Sequence, residues 1–383
     1  MLVEMDALRQ KGEYRSLPVI AHCDKRVEVK DRSMLNLSSN DYLGLASDDN
    51  LRQEFSRTLS SQSEDFLFSS SSSRLLTGNF TVYAEVEKFL ASLFEAESAL
   101  VFNSGYHANI GILPAVANAQ TLILADKLVH ASLIDGIRLS KAKCIRYRHL
   151  DYEQLERLLS IHHQNYERII LVTESIFSMD GDIANLRRMV EMKRQYSNVM
   201  LYVDEAHAIG VRGKTGLGCA EEQECISHID FLVGTFGKAL ASVGAYVVCS
   251  NTIRDYLVNR MRSFIFTTAL PPINFSWTLF VLRKLKDFED RRAHLRCLSA
   301  LLKSNLETMG YPCVSDSHIL PMLIGDSRET VLWAEKLQRK GFYALPVRPP
   351  TVPEGTSRIR FSLTSALTMD EVNAIFQPNE TQR

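Results

Sequence analysis

The chain has no C-x-x-C pair, no long apolar run and almost no net charge, and each absence removes a class of protein. Its seven cysteines (Cys23, Cys144, Cys219, Cys225, Cys249, Cys297, Cys313) are odd in number and widely scattered. That argues for reduced thiols and a cytoplasmic location, against a disulfide framework or a zinc site, so no metal is expected. No stretch approaches the roughly 18 apolar residues that span a bilayer, so no membrane association is expected. Residues 1–15 carry Glu4, Asp6, Arg9, Lys11, Glu13 and Arg15 through their length, which leaves no apolar core for a secretion signal and predicts a short amphipathic helix. Lys and Arg number 44 against 45 Asp and Glu, a formal net charge of -1. Nothing in that balance pulls the protein toward nucleic acid. Internal repeats are absent. The one low-complexity patch, five serines at 69–73, is too short for an interdomain tether and reads either as a turn beside a ligand or as a solvated loop.

What is present is an ordinary globular composition, 45% apolar and 23% charged over 383 residues, which suits about two domains. Short apolar runs at 99–102, 121–124, 143–147, 169–172, 200–203, 231–233 and 246–248 alternate with helix-length segments. That is the pattern of a mostly parallel sheet covered on both faces, an α/β domain. Ligands of such sheets sit outside the carboxyl ends of the strands. Asn103-Ser104-Gly105, Thr173-Glu174-Ser175, Asp204 and Thr235 are predicted to lie there. Thr268-Ala269-Leu270-Pro271-Pro272 punctuates the end of the region, and a long helical pattern follows over 275–309. Strands are predicted at 319–324, 342–345 and 358–363 with a helix at 327–340, a smaller α+β domain. The expected division is an N-terminal segment 1–46 packing near the small domain, a large domain 47–273 and a small domain 274–383.

Two motifs carry chemistry. Asp204-Glu205-Ala206-His207 follows an apolar run, and Thr235-Phe236-Gly237-Lys238 follows another. An acid, an imidazole, a hydroxyl and an amine at strand ends suit pyridoxal 5'-phosphate, which needs a lysine for its Schiff base, a carboxylate at the pyridine nitrogen and donors for its phosphate. Asp204 would hold that nitrogen protonated, making the ring an electron sink, and His207 would bond the phenolic oxygen. The competing reading of Asp204 and His207 is a helix N-cap with an incidental histidine. Lys238, beside the permissive Gly237, would be both anchor and base. Thr235 offers a hydroxyl to the phosphate. Ser104-Gly105-Tyr106 opens a helix whose first N–H groups face an anion, and His130 falls where an imidazole stacks on a ring. Arg358 and Arg360 share one strand face; either guanidinium could grip a carboxylate in two parallel bonds.

Two rival classes were weighed. Asp204-Glu205-Ala206-His207 also spells the acidic box of a helicase-like nucleotide hydrolase, and Gly213-Lys214-Thr215 resembles the end of a phosphate loop. The glycine such a loop needs five positions earlier is Ala208, and no helix and strand separate the two motifs. A non-catalytic binding protein would have little use for Asp, His, Thr and Lys together at strand ends.

Over essentially its full length the chain resembles the α-oxoamine synthase family. The matching segments are Leu37-Ser38-Ser39-Asn40-Asp41-Tyr42-Leu43-Gly44, Asn103-Ser104-Gly105-Tyr106-His107-Ala108-Asn109, His130-Ala131-Ser132, Glu174-Ser175-Ile176-Phe177-Ser178-Met179-Asp180-Gly181-Asp182 and the two motifs above. The resemblance implies the PLP-dependent transferase fold type I: a large domain with a mostly parallel seven-stranded sheet flanked by helices, plus a smaller α+β C-terminal domain. It implies a homodimer with active sites at the subunit interface and an acyltransferase that condenses an amino acid with an acyl thioester. By match, Lys238 carries the cofactor, Asp204 meets the pyridine nitrogen, His207 the phenolic oxygen, and His130 stacks on the ring. Ser178 and Thr235 join the cofactor pocket, and Gly105 and Tyr106 give backbone groups to the phosphate. Thr268 reaches the partner's phosphate. Arg15, Asn40, Thr351 and Arg360 fall at substrate-contacting positions, which prefers Arg360 over Arg358. Within the family, the stretch from Arg348 to Arg360 points to L-alanine and a pimeloyl thioester. Members that make 5-aminolevulinate or 2-amino-3-ketobutyrate share most other motifs. Where the family has a glycine-rich turn before Arg74, this chain has serines 69–73, whose hydroxyls are expected to line the site.

Overall fold

The computed structural model describes residues 1–60 and 62–377, which form two compact units. One gathers 1–48, 178–182 and 290–377; the other holds 49–60, 62–177 and 183–289. The division at 289/290 lies beyond the expected 273/274. The helix Pro272–Arg283 packs on the helix Thr81–Leu93 and so belongs with the larger unit. The helical pattern over 275–309 is two helices, Pro272–Arg283 and Glu289–Thr308, separated by a 3-10 turn at Leu285–Phe288. Residues 378–383 of the expected small domain lie outside the described residues.

The N-terminal part of the first unit holds the helix Leu2–Gln10, as predicted, and three strands that the sequence did not announce, β1 (Ala21–Cys23), β2 (Arg26–Val29) and β3 (Arg32–Asn36), an antiparallel meander.

In the second unit all seven apolar runs are strands: β4 (Ser98–Phe102), β5 (Thr121–Asp126), β6 (Lys143–Tyr147), β7 (Arg168–Glu174), β8 (Val199–Asp204), β9 (Phe231–Thr235) and β10 (Ala245–Cys249). They form one sheet in the order β4-β10-β9-β8-β7-β5-β6, parallel except for β10. β5, β9 and β10 are buried along their whole length and β7 and β8 along all but one residue, which is why they read as continuous apolar runs rather than alternating ones. Because β7, β8 and β9 run parallel, Glu174, Asp204 and Thr235 come out on the same edge, each the last residue of its strand. Among the described residues no helix is long and apolar enough to cross a membrane.

The serine run packs differently from the expectation. Ser70 is buried and its hydroxyl donates to the Ala269 carbonyl at 2.6 Å; Ser69 and Ser71 bond each other at 3.0 Å; Ser72 Oγ accepts from the Thr77 amide at 3.1 Å. These hydroxyls stitch the loop together. Ser71 has φ +50, a conformation that costs little for glycine and more for serine. Beyond the run, Arg74 reaches Glu87 in a largely buried ion pair at 2.5 Å and lies over the Tyr83 ring.

In the first unit, β11 (Ile319–Gly325) pairs antiparallel with β14 (Ser357–Ser362). Of the run at 342–345, predicted as one strand, only β12 (Phe342–Tyr343) is strand and joins β3 in the N-terminal sheet; a second short strand, β13 (Pro346–Val347), follows it and joins β14. The N-terminal segment is thereby hydrogen-bonded into the C-terminal one. The helix Ser327–Arg339 is capped by Asp326, whose carboxylate accepts from the Arg328 and Glu329 amides.

Candidate active site

The site in the larger unit is assembled from strand ends and the turns after them. Asp204 does not cap a helix. A turn follows it, and its Oδ1 accepts from the Ala206 amide at 2.9 Å, an Asx-turn that aims the chain back toward the strand ends. Asp204 Oδ2 receives the Asn109 side-chain amide at 2.8 Å, and Asp204, His207 and Asn109 are all buried. Lys238 Nζ stands 2.8 Å from His207 Nε2. The turn that presents Lys238 is fixed on both sides: Phe236 N donates to Gly244 O at 2.9 Å, Ser242 N to Phe236 O at 2.9 Å, and Trp277 Nε1 to Ala241 O at 2.9 Å. Ala241 sits at φ +47 within it, a conformation unfavourable for a residue with a Cβ that the surrounding bonds hold in place.

Gly105 and Tyr106 are the first two residues of the helix Gly105–Val116, whose N-cap Ser104 accepts from His107 N. First-turn amides have no partner within their own helix and bear the positive end of its dipole. A Cβ added to Gly105 would stand 3.8 Å from Thr235 Cβ, so the helix start and the end of β9 are neighbours. The Thr235 hydroxyl already donates to Gly244 O at 2.9 Å and accepts from Gly237 N at 3.2 Å. Its remaining capacity toward a phosphate requires turning that proton. The Tyr106 hydroxyl donates to Asp135 at 3.0 Å, and the carbonyl of the exposed Thr268 accepts from Asn103 Nδ2 at 2.7 Å.

His130 is the N-cap of the helix Ala131–Leu139. Its backbone amide donates to Glu174 Oε1 at 2.5 Å and its Nδ1 lies 2.8 Å from Ser132 Oγ. Burial lowers its pKa, Lys238 acts in the same direction, and Asp204 and Asp135 oppose. Glu174 is fully enclosed, and burial followed by the Asp204 charge pushes its carboxyl well above the usual range. Asn109, Ser132, Tyr202 and Glu174 form the polar support of the site. All four stand within the motifs and apolar runs of the sequence, where none shows a role.

The smaller unit brings together two further pairs of expected residues. Arg15 donates to Thr351 Oγ1 at 2.7 Å, both exposed. Tyr42 donates to Asn40 Oδ1 at 2.9 Å, and Arg360 acts on the same phenol by charge and hydrogen bond. Arg358 and Arg360 share the strand face, as the alternation requires, yet differ in partner. Arg358 is buried in an ion pair with Asp180, whereas Arg360 gives Nε to the Ser178 carbonyl at 2.5 Å and is less buried. Only Arg358 has its charge neutralised by a carboxylate here.

Gly213-Lys214-Thr215 is no phosphate cradle. Glu221 accepts from both the amide and the hydroxyl of Thr215, and a Cβ on Gly213 would collide with the same carboxylate.

Glu205, beside Asp204, is fully buried and accepts from Ser175 Oγ at 2.7 Å, Cys219 N at 3.0 Å and Ala220 N at 2.6 Å. Burial pushes its carboxyl from 4.5 up to about 7 against those bonds, with Asp204 adding to the rise. A carboxyl whose pKa is raised on folding contributes stability that is full below its unfolded pKa and is lost as pH rises through the folded one. About 3 kcal/mol is therefore expected to disappear between pH 4.5 and pH 7. Urea unfolding across that window, compared with Glu205→Gln, should show the slope in the wild type and its flattening in the variant. Equal slopes would remove the assignment.

Residues 32–377 match the model of the family described as aminotransferase class I and II. The chain belongs to that family, and its fold is fold type I of the pyridoxal phosphate-dependent enzymes. It is 57% identical over 369 residues, covering 96% of each chain, to a protein of Glaesserella parasuis serovar 5 named "Putative 8-amino-7-oxononanoate synthase". A serine palmitoyltransferase from S. paucimobilis, solved with a bound PLP-myriocin aldimine, superposes with a TM-score of 0.88 at 29% identity, covering 98% of this chain and 94% of that one. An 8-amino-7-oxononanoate synthase from Francisella tularensis gives 0.75 at 28%, covering 89% and 95%.

The donor set fits the family's cofactor. An amine, an imidazole within 2.8 Å of it, a buried carboxylate and the first-turn amides beside Thr235 are the groups that an aldehyde, a phenolic oxygen, a pyridine nitrogen and a phosphate require.

Proposed function

We propose that this enzyme condenses L-alanine with a pimeloyl thioester, carried on coenzyme A or an acyl carrier protein. Carbon dioxide and the free thiol leave, and the product is 8-amino-7-oxononanoate, an intermediate of biotin biosynthesis. The observation that carries the reading is the 53% to 57% identity, over nearly the whole chain, to proteins named for that product. The polar cluster around Lys238 supports it.

Bound pyridoxal phosphate supplies an electron-withdrawing ring that makes the α proton of an attached amino acid removable. Asp204 keeps a proton on the ring nitrogen by its negative charge, and Asn109 and the Ala206 amide hold that carboxylate in place. His207 donates to the phenolic oxygen. Lys238 would anchor the cofactor at rest, and its amine, when free, would take the α proton and later return one to the product. His130 would cover the ring face, and Gly105, Tyr106, Thr235 and Ser178 would hold the cofactor. Arg360 and Asn40 are assigned to the amino acid carboxylate, Arg15 and Thr351 to the acyl substrate. Arg358, already paired with Asp180, is a poorer carboxylate ligand.

A homodimer belongs to the same reading. Leu67, Phe68, Leu75, Leu76 and Phe266 are exposed, and the backbone of the loop that carries the first four bonds to 269–273, next to Thr268. Such a clustered apolar face suits a second copy, with Thr268 serving the partner's phosphate.

The test is to pair alanine, glycine and serine with pimeloyl, acetyl, succinyl and palmitoyl thioesters. Alanine with pimeloyl thioester is expected to exceed every other pairing in kcat/KM by at least about tenfold, or about 1.4 kcal/mol. Preference for glycine with the acetyl or succinyl thioester would move the chain to the 2-amino-3-ketobutyrate or 5-aminolevulinate branch.

A further inference from the structure

We propose that Asn109 and Ser132 are positioning residues that fix His130 as the neutral tautomer with its proton on Nε2, so that His130 meets the substrate as a hydrogen-bond donor. The claim about substrate rests on the reading above; the claim about the tautomer rests on geometry alone.

A carboxylate only accepts, so the Asn109 atom 2.8 Å from Asp204 Oδ2 is the amide nitrogen, and the amide oxygen is the atom that takes the Tyr202 hydroxyl at 2.6 Å. With the amide so oriented, the same Nδ2 directs its second proton to Ser132 Oγ at 2.9 Å. Ser132 Oγ receives a proton there, and its own proton turns to His130 Nδ1, 2.8 Å away. The Ser132 backbone amide also approaches Nδ1, at 3.2 Å. A backbone amide has a proton to give and no lone pair to offer, so Nδ1 is the acceptor. The ring proton is left to Nε2.

Asn109, Ser132 and Tyr202 are each at most 1% exposed, so water does not compete for these bonds. The ring's frame is fixed as well: the His130 amide is held by Glu174 at 2.5 Å. Placing a second proton on Nδ1 requires displacing two donors. Among the charged neighbours, Asp204 and Asp135 favour the imidazolium, while Lys238 and burial disfavour it and prevail. The network gives Asp204 a second consequence. Its charge sets the Asn109 orientation, and through Ser132 that orientation reaches the histidine on the other side of the site.

Nitrogen-15 NMR of the holoenzyme labelled at histidine tests this, with His130 assigned by the signal pair that His130→Asn removes. The wild type is expected to show Nδ1 unprotonated and Nε2 protonated at neutral pH. Ser132→Ala deletes one of the two donors and the link to Asn109. It should leave Nδ1 held by the Ser132 backbone amide alone, shift the Nδ1 signal of the ring, raise the His130 titration midpoint by about one pH unit, and leave the visible absorbance of the bound cofactor in place. Protonated Nδ1 in the wild type at neutral pH would overturn the proposal, as would a Ser132→Ala spectrum identical to the wild type. Should that variant fail to fold, the wild-type spectrum decides alone. A different preferred acyl thioester would defeat the substrate reading and leave the tautomer untouched.

Discussion

Lys238→Ala is expected to abolish turnover, by roughly 10⁴-fold or more, and to erase the visible absorbance of the lysine-linked cofactor. Two losses combine in the one substitution. The covalent anchor goes, and so does the amine that moves the α proton, a contribution that alone is worth about 10²–10⁴-fold. His207 is not expected to substitute for it, because the imidazole, 2.8 Å from Nζ, occupies a different place and is assigned to the phenolic oxygen. The fold should be unaffected, since the turn around residue 238 is held by Phe236, Ser242, Gly244 and Trp277 through bonds that do not involve the lysine side chain. Steady-state assay, an absorbance spectrum and thermal unfolding on one preparation separate these effects. Full activity in Lys238→Ala would refute the assignment.

Asp204→Asn should bind cofactor and lose activity by on the order of 10²–10³-fold, about 3–4 kcal/mol, because a neutral amide does not hold the ring nitrogen protonated. The surroundings sharpen the expectation. Both oxygens of Asp204 accept from donors, Asn109 Nδ2 and the Ala206 amide. An asparagine would turn its own donor toward one of them, so some disorder of the pair is expected along with the lost charge. Loss in kcat with cofactor affinity changed by much less is the predicted pattern. Wild-type exchange of the alanine α proton by this variant would count against the role given to Asp204.

The sheet was legible because all its strands but the edge strand β6 are buried on both faces over most of their length. Residues such as 169–172 and 200–203 spell unbroken apolar runs, and their ends are marked by the polar residues the chemistry uses. The N-terminal meander was not legible. Its strands are short, and Ala21–Cys23 is exposed throughout, so no periodicity separates it from loop. The run at 342–345 shows a different limit: its first two residues pair with β3, and the two residues just after it pair with β14, partners far apart in the chain. The reactive groups of the site could be named from residue type and motif. Their support could not, because the Asn109 bonds to Ser132 and Asp204 span 23 and 95 positions and carry no local signal. Arg358 and Arg360 make the same point. Alternation put them on one face, and only the Asp180 ion pair separates their roles.

The central claim is that one lysine, at the end of β9, bears pyridoxal phosphate. Reconstituting the wild-type protein with that cofactor, reducing with borohydride and mapping the modified peptide by mass spectrometry tests it directly. The account predicts a single stable adduct on Lys238. An adduct spread over surface lysines, or none at all, would contradict it.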